Sequence, residues 1–134
     1  MLLSGQAHTV APGEGRTANL GVTQMRVLAA GEATTNGAFT LAEFTGGPGP
    51  WTVPHIHRGM EESFYVLDGE FTFAVGEQEI PAGPESYILV PRGTRLTPQH
   101  EPEYQPDRGA TSCKGGDVWV SGGRLTWLRR QQHA

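Results

Sequence analysis

Hydrophobic and polar residues alternate over short stretches of this chain, and each stretch is broken by Gly, Pro or Asp-Gly. Alternation of period two marks half-buried strands, and turn-forming residues between such runs mark the connections. On this reading Val22 to Leu28 is a strand. Gly31 to Gly37 is a turn segment, and Ala38 to Phe44 is a second strand with Phe39, Leu41 and Glu43 on one face. Residues 46–50, Gly-Gly-Pro-Gly-Pro, form a loop. Trp51 to His57 is extended, and Pro54 within it suits an edge or a strand start. Ser63 to Leu67 and Glu70 to Val75 flank Asp68-Gly69, which the pattern predicts to be a tight hairpin turn. Gly76-Glu77 turns the chain into Gln78 to Ile80, residues 81–84 bend it, and Tyr87 to Val90 is stopped by Pro91-Arg92-Gly93. From Thr97 to Gly116 the period lapses in a polar stretch with Pro98, Pro102 and Pro106, predicting a long irregular segment. Asp117 to Val120 and Arg124 to Leu128 predict two last strands about Ser121-Gly122-Gly123. Residues 1–20 are polar and Gly-rich, an arm or weak first strand, which leaves 21–134 as one domain. No stretch has a helical period with a start and a stop. Many short strands with frequent turns predict an all-β barrel or sandwich.

Composition narrows this picture. The 134 residues are one domain's worth, and 37% hydrophobic residues can fill one core. Gly 19 and Pro 10 fit many turns better than long helices. The net charge of -4 leaves no basic footprint for nucleic acid, and Arg129-Arg130 alone reads as a solvated tail. Cys113 is the only cysteine, so no intrachain disulfide forms. Nothing orients it toward His100 or His133, and it is read as incidental. No run approaches the ~20 apolar residues of a membrane span, and Met1 to Ser4 shows no basic leader. A soluble, cytoplasmic protein is therefore expected.

Candidate chemistry lies in the middle of the chain. His55 and His57 are two apart on an extended segment, so their side chains leave one face. Glu62 shares a face with Phe64 and Val66, while Glu61 has the opposite parity. Two neutral imidazoles and one carboxylate suit Fe, Mn, Ni, Zn or Cu and leave open positions for substrate or oxygen. A pair of surface histidines near an acidic turn is the competing reading of the same residues.

The stretch PHIHRGMEESFYVLDGEFTF decides in favour of the first. Gly49, His55-Ile56-His57, Glu62 and Gly69 stand at the offsets of the first cupin motif, and the text resembles small single-domain cupins akin to quercetin dioxygenases. The resemblance runs from about Val22 to Gly93. It implies a jelly-roll (cupin) β-barrel of short antiparallel strands, a divalent transition metal held by His55, His57 and Glu62, and frequently a homodimer. The second motif is incomplete. Pro91-Arg92-Gly93 matches its core, but Leu96 stands where the family usually has a fourth ligand, a histidine. Glu85 stands where it has a glycine, and His100 where it has an asparagine. Three outcomes stay open: three ligands and a water hold the metal, His100 bends in at Pro98 as a substitute, or the site loses its metal.

A dioxygenase-like enzyme acting on a small oxygen-bearing organic molecule is the expected function, with Glu62 able to take a proton as a general base. The alternatives are a non-catalytic small-molecule-binding cupin and a sugar isomerase or epimerase. Trp51, Phe64, Tyr87, Leu96 and His100 are candidate pocket residues. Tyr65, of opposite parity to Glu62, is expected to pack in the core. Trp119 and Trp127 are expected to be packing residues, and Arg92 and Arg95 are expected to be solvated.

Overall fold

The computed structural model describes residues 5–21, 23–51, 54–101 and 123–131. These residues form strands, turns and bends, without a helix. In chain order the strands are β1 (Arg16–Leu20), β2 (Thr23–Ala29), β3 (Phe39–Gly46), β4 (Gly49–Pro50), β5 (His55–Ile56) and β6 (Met60–Asp68), then β7 (Glu70–Val75), β8 (Gln78–Ala82), β9 (Tyr87–Val90), β10 (Arg95–Glu101) and β11 (Gly123–Gln131). They make two antiparallel sheets. One is six-stranded in the order β1-β2-β3-β11-β6-β9. The other runs β4-β10-β7-β8, with β5 also paired to β10. This is the expected all-β jelly roll.

The core lies where the inward faces of the two sheets meet. Along β6 Phe64 and Val66 are buried and Tyr65 is exposed; along β7 Phe71, Phe73 and Val75 are buried. The Phe64 and Phe73 rings, one from each sheet, are 5.1 Å apart. Burying each such ring contributes about 1.5–3 kcal/mol, and Trp51, Ala82, Ile88, Val90, Leu96 and Leu125 complete the cluster.

Four expectations change. Asp68-Gly69 is not a hairpin: β6 pairs with β11 and β9, whereas β7 pairs with β10 and β8. The turn, with Gly69 at φ 90°, carries the chain from one sheet to the other, so the apolar faces of β6 and β7 cover each other across the core. A tight hairpin does form between β7 and β8, where Val75 faces Gln78 across Gly76-Glu77 and Gly76 has φ 60°.

The polar residues 97–101 are not irregular. They continue β10 in register with β7, from Leu96 opposite Val75 to Glu101 opposite Glu70. On the other flank Pro98 falls between the β5 and β4 pairings, where a missing N–H costs no ladder bond on that side. The remainder of the expected irregular segment and the expected strand Asp117 to Val120 lie outside the described residues.

Arg129 and Arg130 are not a tail but part of β11, which is paired on both flanks. Tyr65 is not a core residue: it is 42% exposed and stands opposite Tyr87 on the outer face of the six-stranded sheet.

Candidate metal centre

The site is built by alternation on two strands of different sheets. On β5 Ile56 is exposed, and His55 and His57 on either side of it turn inward. The loop after β5 is held by the Gly93 N–H donating to the His57 carbonyl at 2.7 Å. On β6 Glu62 faces inward and is 3% exposed, whereas Glu61 faces outward. A buried carboxylate needs compensation, and the imidazoles supply it. His55 Nε2 lies 3.7 Å from Glu62 Oε1, and His57 Nε2 makes the shorter approach to the same oxygen. The two imidazole rings stand edge to face with centroids 4.8 Å apart. One donor atom from each of the three side chains lies within 4.8 Å of the others. Two imidazole nitrogens and a carboxylate oxygen converging in this way fit a divalent transition metal.

Glu61 is occupied elsewhere. Its carboxylate accepts a 2.8 Å hydrogen bond from Arg92, and that bond, with the charge of the same guanidinium, holds the Glu61 carboxyl below its usual range against the opposing effect of desolvation. The parity argument that separated the two acids therefore describes their surroundings, and Arg92 is committed to an ion pair rather than simply solvated. Arg95 is exposed, as expected.

A cavity of about 220 Å³ opens beside the triad, lined by Leu20, Met25, Phe44, Trp51, Phe64, Leu125 and Trp127. Trp51 and Phe64 are thus on its wall. The Trp51 indole N–H donates to the Gly47 carbonyl at 2.8 Å, and its ring meets Phe71 edge on at 4.9 Å. Tyr87 does not line this cavity. It is 63% exposed and borders a second pocket, on the outer face, with Glu61, Ser63 and Leu89. The alternation of β9 turns Ile88 and Val90 inward and leaves Tyr87 outside.

Leu96 is 2% exposed within the core and stands in register with His55 on the neighbouring strand, so an apolar side chain adjoins the triad. The chain does not bend toward it at Pro98. β10 stays extended through Pro98, and the His100 backbone is opposite Gly49 and Phe71, not His55. Four extended residues are about 13 Å of chain.

Sequence reasoning missed Phe44, Leu125 and Trp127 as cavity walls. Phe44 and Trp127 meet edge to face at 5.7 Å. Their signal was present in the alternation of β3 and β11, but the pairing of these two strands was not visible.

Residues 42–101 match the model of the cupin domain family. The chain is 32% identical over 71 residues to quercetin 2,3-dioxygenase of Bacillus subtilis, an alignment that covers 53% of this chain and 21% of that enzyme. The chain thus spans about a fifth of that relative's length. Among solved structures it resembles KdgF from Halomonas sp., with a TM-score of 0.70, 12% identity and 96% of both chains covered. It also resembles an RmlC-like cupin from Shewanella frigidimarina, with a TM-score of 0.66, 14% identity and coverage of 96% of this chain and 94% of the other. At these identities the structural likenesses show the shared fold.

Proposed function

We propose a function from one premise: this chain carries a cupin domain of the quercetin-dioxygenase-like type. It is a metal-dependent, dioxygenase-like enzyme that acts on a small oxygen-bearing organic molecule bound in the cavity between the sheets. The observation that carries this reading is the convergence of His55, His57 and Glu62 on the wall of an otherwise apolar cavity. His55, His57 and Glu62 would hold the metal. When bound, it supplies a Lewis acid with open positions for a substrate oxygen or for O₂. The protein's own part is to exclude water with Phe44, Trp51, Phe64, Leu125 and Trp127, which strengthens every electrostatic interaction inside. Glu62, if released from the metal, can accept a proton from a substrate hydroxyl. A sugar isomerase or epimerase is disfavoured, because this lining offers few polar partners for sugar hydroxyls.

A second reading, a binding protein without catalysis, is favoured by Leu96, which places a leucine beside His55 where the motif calls for another ligand. Metal analysis separates the two. Protein grown with added Fe, Mn, Ni and Zn is expected to purify with close to one equivalent of metal, and His57→Ala to lose it. A metal-free wild-type protein would replace the enzyme with the binding protein. Oxygen uptake with flavonol and diketone substrates then tests the reaction class on the loaded protein.

A further inference from the structure

The polar groups of the cavity stand together on one side of it. His55, His57 and Glu62 each offer a donor atom within 4.8 Å of the others, and the rest of the wall is apolar. The one other side-chain N–H there, the Trp51 indole, donates to the Gly47 carbonyl at 2.8 Å. Among the described residues that line the cavity none is a lysine or an arginine. Arg129, two residues after Trp127, lines a separate pocket with Phe39 and Thr40. The side open to solvent is apolar too. Leu20, 46% exposed, belongs to the wall, and so does Met25, which is opposite Phe44 in register.

A charged group carried into such a space loses its hydration and meets a compensating partner only at the triad. Hydroxyls spread around a ligand would be left without partners in the same way. A ligand matched to this wall is therefore neutral, with its oxygens gathered on the edge that faces the triad and apolar surface elsewhere. Four rings, Phe44, Trp51, Phe64 and Trp127, form much of the wall, and edge-on or offset ring contacts favour an aromatic body over an aliphatic one. Size narrows the class further. An apolar cavity of about 150 Å³ stays dry and takes benzene, whereas pockets for drug-sized ligands begin at about 300 Å³. This cavity, of about 220 Å³, has room for one ring and a few substituent atoms.

We propose that the cavity selects a neutral ligand with a single aromatic ring, whose hydroxyl or adjacent hydroxyls stand on one edge and face the triad. This rests on the functional reading of the same cavity and names its substrate class. Leu125 and Trp127 set the size limit. Leu125 is 1% exposed, and Trp127 is held edge to face against Phe44 at 5.7 Å, so neither yields readily to a second ring.

The test uses three neutral probes, titrated calorimetrically into metal-loaded and metal-stripped protein: phenol, 2-naphthol, which adds a second ring, and myo-inositol, a single ring with hydroxyls all round. Both forms of the wild type are expected to bind phenol at least about tenfold more tightly than either of the others. Leu125→Ala enlarges the cavity at its buried wall and should narrow the preference for phenol over 2-naphthol by about tenfold. Met25→Ala, at a wall residue outside the buried cluster, should narrow it in the same direction and keeps the test decisive if Leu125→Ala does not fold. No binding of phenol overturns the proposal, and so does equal binding of phenol and either of the other probes. A preference unchanged in every folded variant overturns it as well, since the ring then binds elsewhere. A three-ring flavonol is larger still, so oxygen uptake with one would overturn this proposal and keep the metal-dependent reading. A wild type that takes up no metal but shows the phenol preference would end that reading and keep this one.

Discussion

At Glu85 the backbone takes φ 72°, a conformation that costs an L side chain roughly 1–2 kcal/mol. The motif resemblance asks for glycine at this position. The turn keeps the left-handed geometry even though the residue has changed, because its bonds belong to the backbone: the Glu85 N–H donates to the Val66 carbonyl at 2.9 Å and the Ser86 N–H to the Gly83 carbonyl at 3.1 Å. The side chain itself is exposed. Glu85→Gly should therefore remove strain and retain both bonds. A gain of about 1 kcal/mol is expected, seen as a melting temperature raised by roughly 3–5 °C. An unchanged or lower melting temperature would mean that the Glu85 side chain stabilises the turn by contacts of its own. At this scale the sequence was legible wherever parity decides. It separated Glu62 from Glu61 and put His55 and His57 on one face. It was not legible at Arg129, which reads as a tail charge until β11 is seen to run three residues past Leu128.

Local pattern identified most strands but not which of them pair. A hairpin and a corner between sheets have the same signature, two alternating runs about a Gly turn, and Asp68-Gly69 shows the difference. The choice depends on what covers Phe71 and Phe73, a long-range matter absent from any short window. β10 was hidden for the opposite reason. Its polar residues and Pro98 argue against a strand, yet backbone pairing to β7 is indifferent to side-chain polarity. The register of β10 against β5 gives a prediction at this scale. Leu96 is opposite His55 and faces the core, so Leu96→His should bring a third imidazole to the triad. Metal affinity, measured by competition with a chromogenic chelator, is expected to rise about tenfold or more, by analogy with the 10–100-fold effects of residues that support a metal site. The metal-free variant should be less stable, since a polar ring replaces a buried leucine without a partner. An affinity no higher than wild type in a folded variant would refute this placement of position 96.

The largest feature is the placement of the triad across the two sheets. His55 belongs to β5, which is tied to β10 in one sheet, and Glu62 belongs to β6 in the other. The motif resemblance implied that the three side chains meet, but local pattern does not show that they do so across two sheets, because that arises only when the Phe64 and Phe73 faces meet. A metal held by these residues acts as a clasp between the sheets, and a ligand that binds the folded state alone stabilises it by mass action. At a free metal concentration one hundred times the dissociation constant the stabilisation is about 2.7 kcal/mol. For a domain of this size that corresponds to a melting temperature higher by roughly 10 °C. The rise should follow metal concentration logarithmically above saturation, vanish with chelator and be absent in His57→Ala. His8 provides the control. It is remote in the chain, its ring bonds to the Leu28 carbonyl on β2 at 2.7 Å, and it takes no part in the triad. His8→Ala should therefore keep the full response. Equal rises in wild type and His57→Ala would place the metal on another part of the surface, and no rise in the wild type would leave two sheets held by their apolar faces alone.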